Sequence, residues 1–484
     1  MNLQRSTRAA TVGAALAAIS LFTAPTPAHA ATIAAACNAN PITAGTNLKN
    51  AIASAATGDT VTLVDYCIYA FNDSNVPAAD ESALTIDKTL TIDTVSGANT
   101  ATIRRITTAH DFRIINITTG EGGPGNLTLN HTTVQFGSTL AGGEGGGIRL
   151  ETTGTMLRTN NATVEGNKAS RRGGGIFAVL NSGSVELNNT LVRDNATDTN
   201  DGGGMYTNAA TTDVNGSTFS ENRARTGGGG IYVANAATML MVHNSTFKNN
   251  TSEDGGGLLV NGGAMNMDHT VITNNLASRP GVGGAGGGLM IGLGFPANIT
   301  DSQITGNKAT GNGANGGGLN VTTAGASNES LRVENTDISG NETIGAGGRG
   351  GGVMIFGVSA SRMLDFENST ISGNRAAGDN SSGAGLYRND AGTTTLGNVS
   401  ITDNTASGTG SQVGGLYNVG FGGNSVLAFT GVSITDNTAP AAPAPGGLYT
   451  DTAVTDNGGN SVTGNSPTNC TYSPVVPGFC TNLP

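Results

Sequence analysis

The chain has 484 residues, with 34 acidic against 23 basic side chains, 76 glycines, four cysteines and no tryptophan. A formal net charge of −11 argues against nucleic acid and against anionic membrane surfaces as partners. After the first thirty positions no apolar run is long enough for a membrane span.

Residues 1–30 read as a signal peptide. Arg5 and Arg8 give a positive start, Ala14 to Phe22 an apolar centre, and Ala28-His29-Ala30 a small-x-small cleavage site. The mature chain then keeps 21 of the 23 basic residues against 34 acidic ones, a net charge near −13. A secreted, extracellular or cell-surface location is expected. Residues 31–125 are expected to hold an N-terminal cap and the first irregular coils. Within them Asn47 to Ile52 reads as a short amphipathic helix, followed by a turn at Gly58-Asp59 and a strand at Val61 to Val64. Alternating runs at Leu84 to Ile86, Leu90 to Ile92, Phe112 to Ile117 and Leu127 to Leu129 read as further short strands.

Residues 126–468 are repetitive. Ser217 to Val233 reads STFSENRARTGGGGIYV, and Ser245 to Val260 reads STFKNNTSEDGGGLLV. An Asn recurs at Asn167, Asn195, Asn222, Asn250, Asn275, Asn307, Asn341, Asn374, Asn404, Asn437 and Asn465, a period of about 30 residues that signals stacked repeats. The glycine run of each copy ends in an apolar residue, often with a second two places on, as in Ile231 and Val233. That alternation is a strand with one buried face. Two more strands follow in each copy, and no segment has room for a helix. Stacked coils would bring successive Asn side chains within about 4.8 Å, close enough for an amide ladder. Six residues before each ladder position stands a second turn residue, from Asn161 and Asn189 to Gly459, nearly always of a type that tolerates left-handed backbone.

Leucine-rich, propeller and calcium-binding nonapeptide repeats fail on the glycine runs, the missing Trp and the missing GGxGxD. The fold expected is all-β: a right-handed single-stranded parallel β-helix of roughly 13 coils, on the order of 60 Å long, with an N-terminal cap helix. The pairs FSEN and FKNN (Phe219 to Asn222, Phe247 to Asn250), each followed by GGGI or GGGL, resemble the repeats of polymorphic outer-membrane proteins. More broadly they resemble bacterial β-helix repeat proteins of the pectin-lyase-like superfamily. Leu48, Ala51 and Ile52 also resemble part of the CSLREAI entry motif of some bacterial β-helix proteins. No autotransporter barrel is expected after the repeats.

In an exported chain the cysteines read as two end-of-solenoid disulfides, Cys37 with Cys67 and Cys470 with Cys480, the latter closing a cap over 469–484. The loop after each ladder Asn is 8 to 10 residues in the first four coils and 11 to 14 from Asn275 onward. Asp194, Asp198, Asp201, Glu253 and Asp254 are the carboxylates nearest to a lyase-like set, with Arg171, Arg172 or Arg223 as base, and solvated loop charge is the plainer reading. No cofactor and no metal site are expected; a calcium ion could be accommodated by carboxylates, but no motif supports one. Asn335-Thr336-Asp337 mimics a polygalacturonase triplet without its companion motifs. His110, His131, His243 and His269 have no nucleophile partner in a recognisable motif.

The residue after each strand's first core position is aromatic in six coils: Phe177, Tyr206, Tyr232, Tyr387, Tyr417 and Tyr449. Alternation turns this column outward, as two exposed ring ladders able to stack sugars or to shield the sheet. The function expected is binding or surface structure, through adhesion or contact with a cell-surface glycan or polysaccharide. A polysaccharide lyase or glycoside hydrolase on the long-loop edge is the alternative, and a structural envelope rod the third.

Overall fold

The computed structural model describes residues 30–78, 81–234, 238–294, 296–323, 330–357, 361–420, 425–440, 444–472 and 478–480. The signal-peptide reading therefore falls outside the described residues, as do parts of the last long loop and of the C-terminal cap.

Three long parallel sheets run the length of the molecule, with 14, 15 and 14 strands, and make a solenoid of about 14 coils rather than 13. One coil shows the course of the chain. Ile231–Val233 lies in the first sheet, Met239–His243 in the second and Thr246–Lys248 in the third. Each strand pairs in register with its copies one coil before and after, so Met205, Ile231 and Leu258 form one column. The second sheet is continuous from Thr32–Ala35 to Val454–Asp456, with no break near 125.

A short fourth strand follows the ladder Asn in many coils, which three strands per coil did not anticipate. Six of these form a sheet from Thr251–Ser252 to Thr405–Ser407. Its inward side chains are small, and Ala277, Ala309 and Ala314 make a satellite core outside the main one.

Inside the three sheets, Val, Ile, Leu and Phe from every coil make one continuous core. Phe219 and Phe247 stack within it at 5.1 Å. The cap helix is longer than expected, Pro41–Ser54, with Asn40 accepting from Ile42 N at 3.0 Å and Pro41 opening the first turn. It buries Ala44, Leu48, Ala51 and Ile52 over the open end of the sheets. Gly45 is required there, since a Cβ would lie 2.1 Å from the Ala70 carbonyl oxygen. Lys88 Nζ closes the helix C-terminus by donating to Ala55 O at 2.9 Å. Cys37 is bonded to Cys67 at this end and Cys470 to Cys480 at the other. No helix among the described residues is long and apolar enough to cross a membrane.

Candidate functional site

The eleven ladder asparagines stand in one buried column. From Asn167 to Asn465 each side-chain Nδ2 donates to the Oδ1 of the next Asn in the column at 2.9–3.1 Å, ending on Asn469. Each Oδ1 beyond the first also accepts the backbone N–H of the preceding member, as Asn250 Oδ1 does from Asn222 N at 3.1 Å. The ladder Asn is not itself left-handed. The residue before it is, as at Asp194, Glu221, Asn249 and Asp403, with φ of 53°, 59°, 55° and 58°. The second turn column is left-handed throughout, from Asn161 and Asn189 at 50° and 48° to Gly459 at 74°. A hydroxyl ladder runs beside it that the sequence reading passed over. Thr190, Ser217 and Ser245 are linked backbone N to Oγ at 3.0 and 3.1 Å. Its signal was the Ser or Thr opening each repeat.

The glycine run has a role at each position. At Gly255 φ is +59°, at Gly256 a Cβ would lie 2.3 Å from Gly287 O, and at Gly257 one would press on Asn275 Nδ2 at 3.1 Å. So the first glycine turns the chain, the second lets coils stack and the third makes room for the ladder amide.

The aromatic column points away from the main core, but it is not exposed as expected. Phe177, Tyr206 and Tyr387 are 3 %, 5 % and 6 % exposed, because the glycine turns and arginine side chains fold over the rings. Phe177, Tyr206 and Tyr232 stack at 5.3 Å, with the Arg172 guanidinium 5.1 Å from the Tyr206 ring centre. Burial pushes the Tyr206 and Tyr232 hydroxyls up from their ordinary range. Phe177 and Tyr206 are closed packing, and Tyr232 is half-buried.

The second ladder is closed at one end and open at the other. Arg349 covers Tyr387 at 5.5 Å, and the rings of Tyr387, Tyr417 and Tyr449 follow at 5.1 and 4.7 Å. The next position in the column is Thr471, too short to continue the ring stack. Tyr417 and Tyr449 are half-buried and form one wall of a groove of about 590 Å³. Gly408 to Val413, Pro440, Ala444, Pro445 and Thr471 also line it. The structure thus separates the six aromatic residues: Tyr417 and Tyr449 line the groove, whereas Phe177, Tyr206, Tyr232 and Tyr387 do not.

Most of the charged loop residues are paired across coils, although no ion pair is seen at Asp194 or Arg223 among the described residues. Lys168 meets Asp198 at 3.0 Å, Arg172 meets Glu144 at 3.5 Å, and Glu253 takes Arg225 at 3.4 Å. Asp254 pairs with Arg279, and Thr226 donates to Asp201. Each of the four described histidines also has an aspartate: His110 with Asp73 at 2.6 Å, His131 with Asp93 at 3.1 Å, and His243 and His269 sharing Asp268 at 2.6 and 3.2 Å. Burial opposes ionisation of Asp268, but bonds from the two imidazoles hold its carboxyl below the ordinary range. Asn335 donates to Asp301 within the turn column at 3.2 Å, so that triplet is turn structure. Among the described residues no three of His, Cys, Asp or Glu converge to hold a metal ion.

One polar cluster inside the solenoid carries no sequence motif. Arg388 replaces the Ile355 of the previous coil and is fully buried. Its Nη2 lies 2.5 Å from Asp390 Oδ1, and it donates to Thr394, Asn418 and Ser425 at 2.9, 2.6 and 2.8 Å.

Residues 107–277 match the family model for a right-handed β-helix region. The described chain folds as a parallel β-solenoid, and over the matched residues it is similar to right-handed β-helix regions. No curated protein matches it. In the β-helix the groove lies in the last coils, beyond the matched segment, where the repeat departs from its own pattern. In nine successive coils the first glycine of the run is left-handed, from Gly145 at 67° to Gly383 at 59°. The next two coils place Val413 and Pro445 there, and both line the groove.

Proposed function

We propose that this β-helix is a secreted binding or surface protein that contacts a glycan or polysaccharide through the groove beside Tyr417 and Tyr449. The observation that carries the reading is the open end of the second tyrosine ladder. Two stacked rings with part of their surface toward solvent, framed by prolines, offer flat apolar area of the kind that stacks sugar rings. Among the described residues lining the groove there is no carboxylate, imidazole, amine or guanidinium, which favours binding over the lyase or hydrolase alternative. The two disulfides support an oxidising, extracellular setting.

The test is retention of the mature chain on a panel of immobilised neutral and acidic polysaccharides, with cleavage scored in parallel. Retention on at least one is expected, without shortening of the polymer. The Tyr417→Ser/Tyr449→Ser double variant, folded by circular dichroism, should lose retention about tenfold. Unchanged retention in the folded double variant would remove the groove from the function, and cleavage abolished with it would make the protein an enzyme.

A further inference from the structure

The groove coincides with the two coils that abandon the left-handed glycine. Val413 has φ +56°, a conformation that a β-branched side chain adopts only at a cost, because Cβ crowds the following carbonyl. Nine earlier coils avoid that cost with Gly, so the stacking itself does not call for valine. Strain kept at one position of a repeat, beside a groove, is a sign of selection for something other than stability. The neighbouring coil indicates what the side chain does. A Cβ on Gly383 would lie 3.0 Å from both Cα and Cβ of Tyr387. Val413 occupies the equivalent position one coil on, where the ring residue is Tyr417. It is fully buried and borders the groove, so it shapes the floor from beneath, by packing, without presenting surface of its own to a ligand.

The chemistry of the lining selects the ligand. Among the described residues its polar groups are the Tyr417 and Tyr449 hydroxyls, Thr409, Ser411, Gln412, Thr471 and backbone, with no charged side chain. The nearest arginine on the ladder, Arg349, is turned onto Tyr387. Burial, with smaller contributions from Tyr387 and Tyr449, pushes the Tyr417 hydroxyl up to about 12, so it stays protonated through the physiological range. A uronate or sulfate would give up hydration with no cation to meet it, against a chain of net charge −11. Hydroxyls of an uncharged sugar find both donors and acceptors there.

Resting on the glycan-binding reading above, we propose that the groove takes uncharged sugar residues, with Tyr417 and Tyr449 as its stacking wall and Val413 as the strained residue that shapes its floor.

The experiment measures affinity of the mature chain for soluble galactan, glucan and mannan against polygalacturonate and alginate, at low and high salt. Binding to a neutral polymer, unchanged by salt, with the uronates at least about tenfold weaker is expected. Val413→Gly, which relieves the strained backbone but gives up a buried side chain, should leave the chain folded by circular dichroism while weakening neutral-glycan binding about tenfold. Tighter binding of a uronate, steep salt dependence, or Val413→Gly binding as the parent does would overturn the inference while leaving a glycan site in place. Failure of every polymer to bind would instead overturn the underlying reading and this inference with it.

Discussion

Asn250 shows how much one side chain does in a stack. It is fully buried, donates to Asn275 Oδ1 and Phe219 O at 3.0 Å, and accepts from both the backbone N and Nδ2 of Asn222. Alanine there would strand two donors on Asn222 and one carbonyl on Phe219 with no water to replace the amide. Each orphaned buried group costs about 1–3 kcal/mol, so Asn250→Ala should lower stability by roughly 3 kcal/mol. Urea unfolding should show this as a lower midpoint. Asn465 is 8 % exposed near the end of the ladder, and its replacement should cost less. Equal losses at the two positions would mean that the ladder is not cooperative along the stack.

At the scale of an element, the strand Leu386–Asp390 carries a buried charge pair, with Arg388 standing where the preceding coil has Ile355. Burial pushes the Asp390 carboxyl up to about 6, with Arg388 and the Gly392 backbone pulling the other way. Burial also lowers the Arg388 value. The folded state therefore holds the Asp390 proton more tightly than the unfolded chain does. The stability this contributes is fully present below the ordinary carboxylate value of 3.8 and is lost as pH rises through about 6. The loss is on the order of 3 kcal/mol. Hydrogen exchange of the last coils should be slower at pH 4.5 than the pH dependence of the intrinsic exchange rate predicts, and the excess protection should vanish by pH 7.5. Asp390→Asn should flatten that difference. A profile identical in the variant would place the pH dependence elsewhere. Arg388→Met should destabilise by about 3–5 kcal/mol at neutral pH, because it leaves the carboxylate buried without its partner.

For the whole molecule, the ends decide where opening begins. Each interior coil is paired on both sides, whereas the terminal coils are paired on one. The helix Pro41–Ser54 and the Cys37–Cys67 bond cover the first coils, and the Cys470–Cys480 bond holds the last strand, Cys470–Tyr472, on the first sheet. Reduction should cost about 3 kcal/mol at the N-terminal end. Exchange should then accelerate in 32–71 and after 454, with little change in 231–321. Earlier exchange in the middle coils than at the ends would contradict end-first opening.

The sequence by itself determined the coil. A thirty-residue period, glycine runs before an alternating strand, and a recurrent Asn leave few ways to satisfy the backbone, and each copy repeats the same local instruction. The turn column at Asn161, Asn244 and Asn335 was legible for the same reason, since left-handed backbone restricts residue type wherever it occurs. The short fourth strand had a signal that the alternation pattern hides: a small residue two places after the ladder Asn, as at Ala277, Ala309, Ala376 and Ala406, too short a run to read as a strand before its neighbours are stacked beside it. Exposure of the aromatic column was also beyond the sequence. Alternation fixes the direction of a ring but not what folds over it, and only the tertiary structure buries Tyr206 under Arg172 and leaves Tyr449 at the edge of a groove. Val413 and Pro445 stood in plain view as departures from GGG. Their meaning depended on stacking, because a repeat residue becomes part of a site only when neighbouring coils bring it beside residues about thirty positions away.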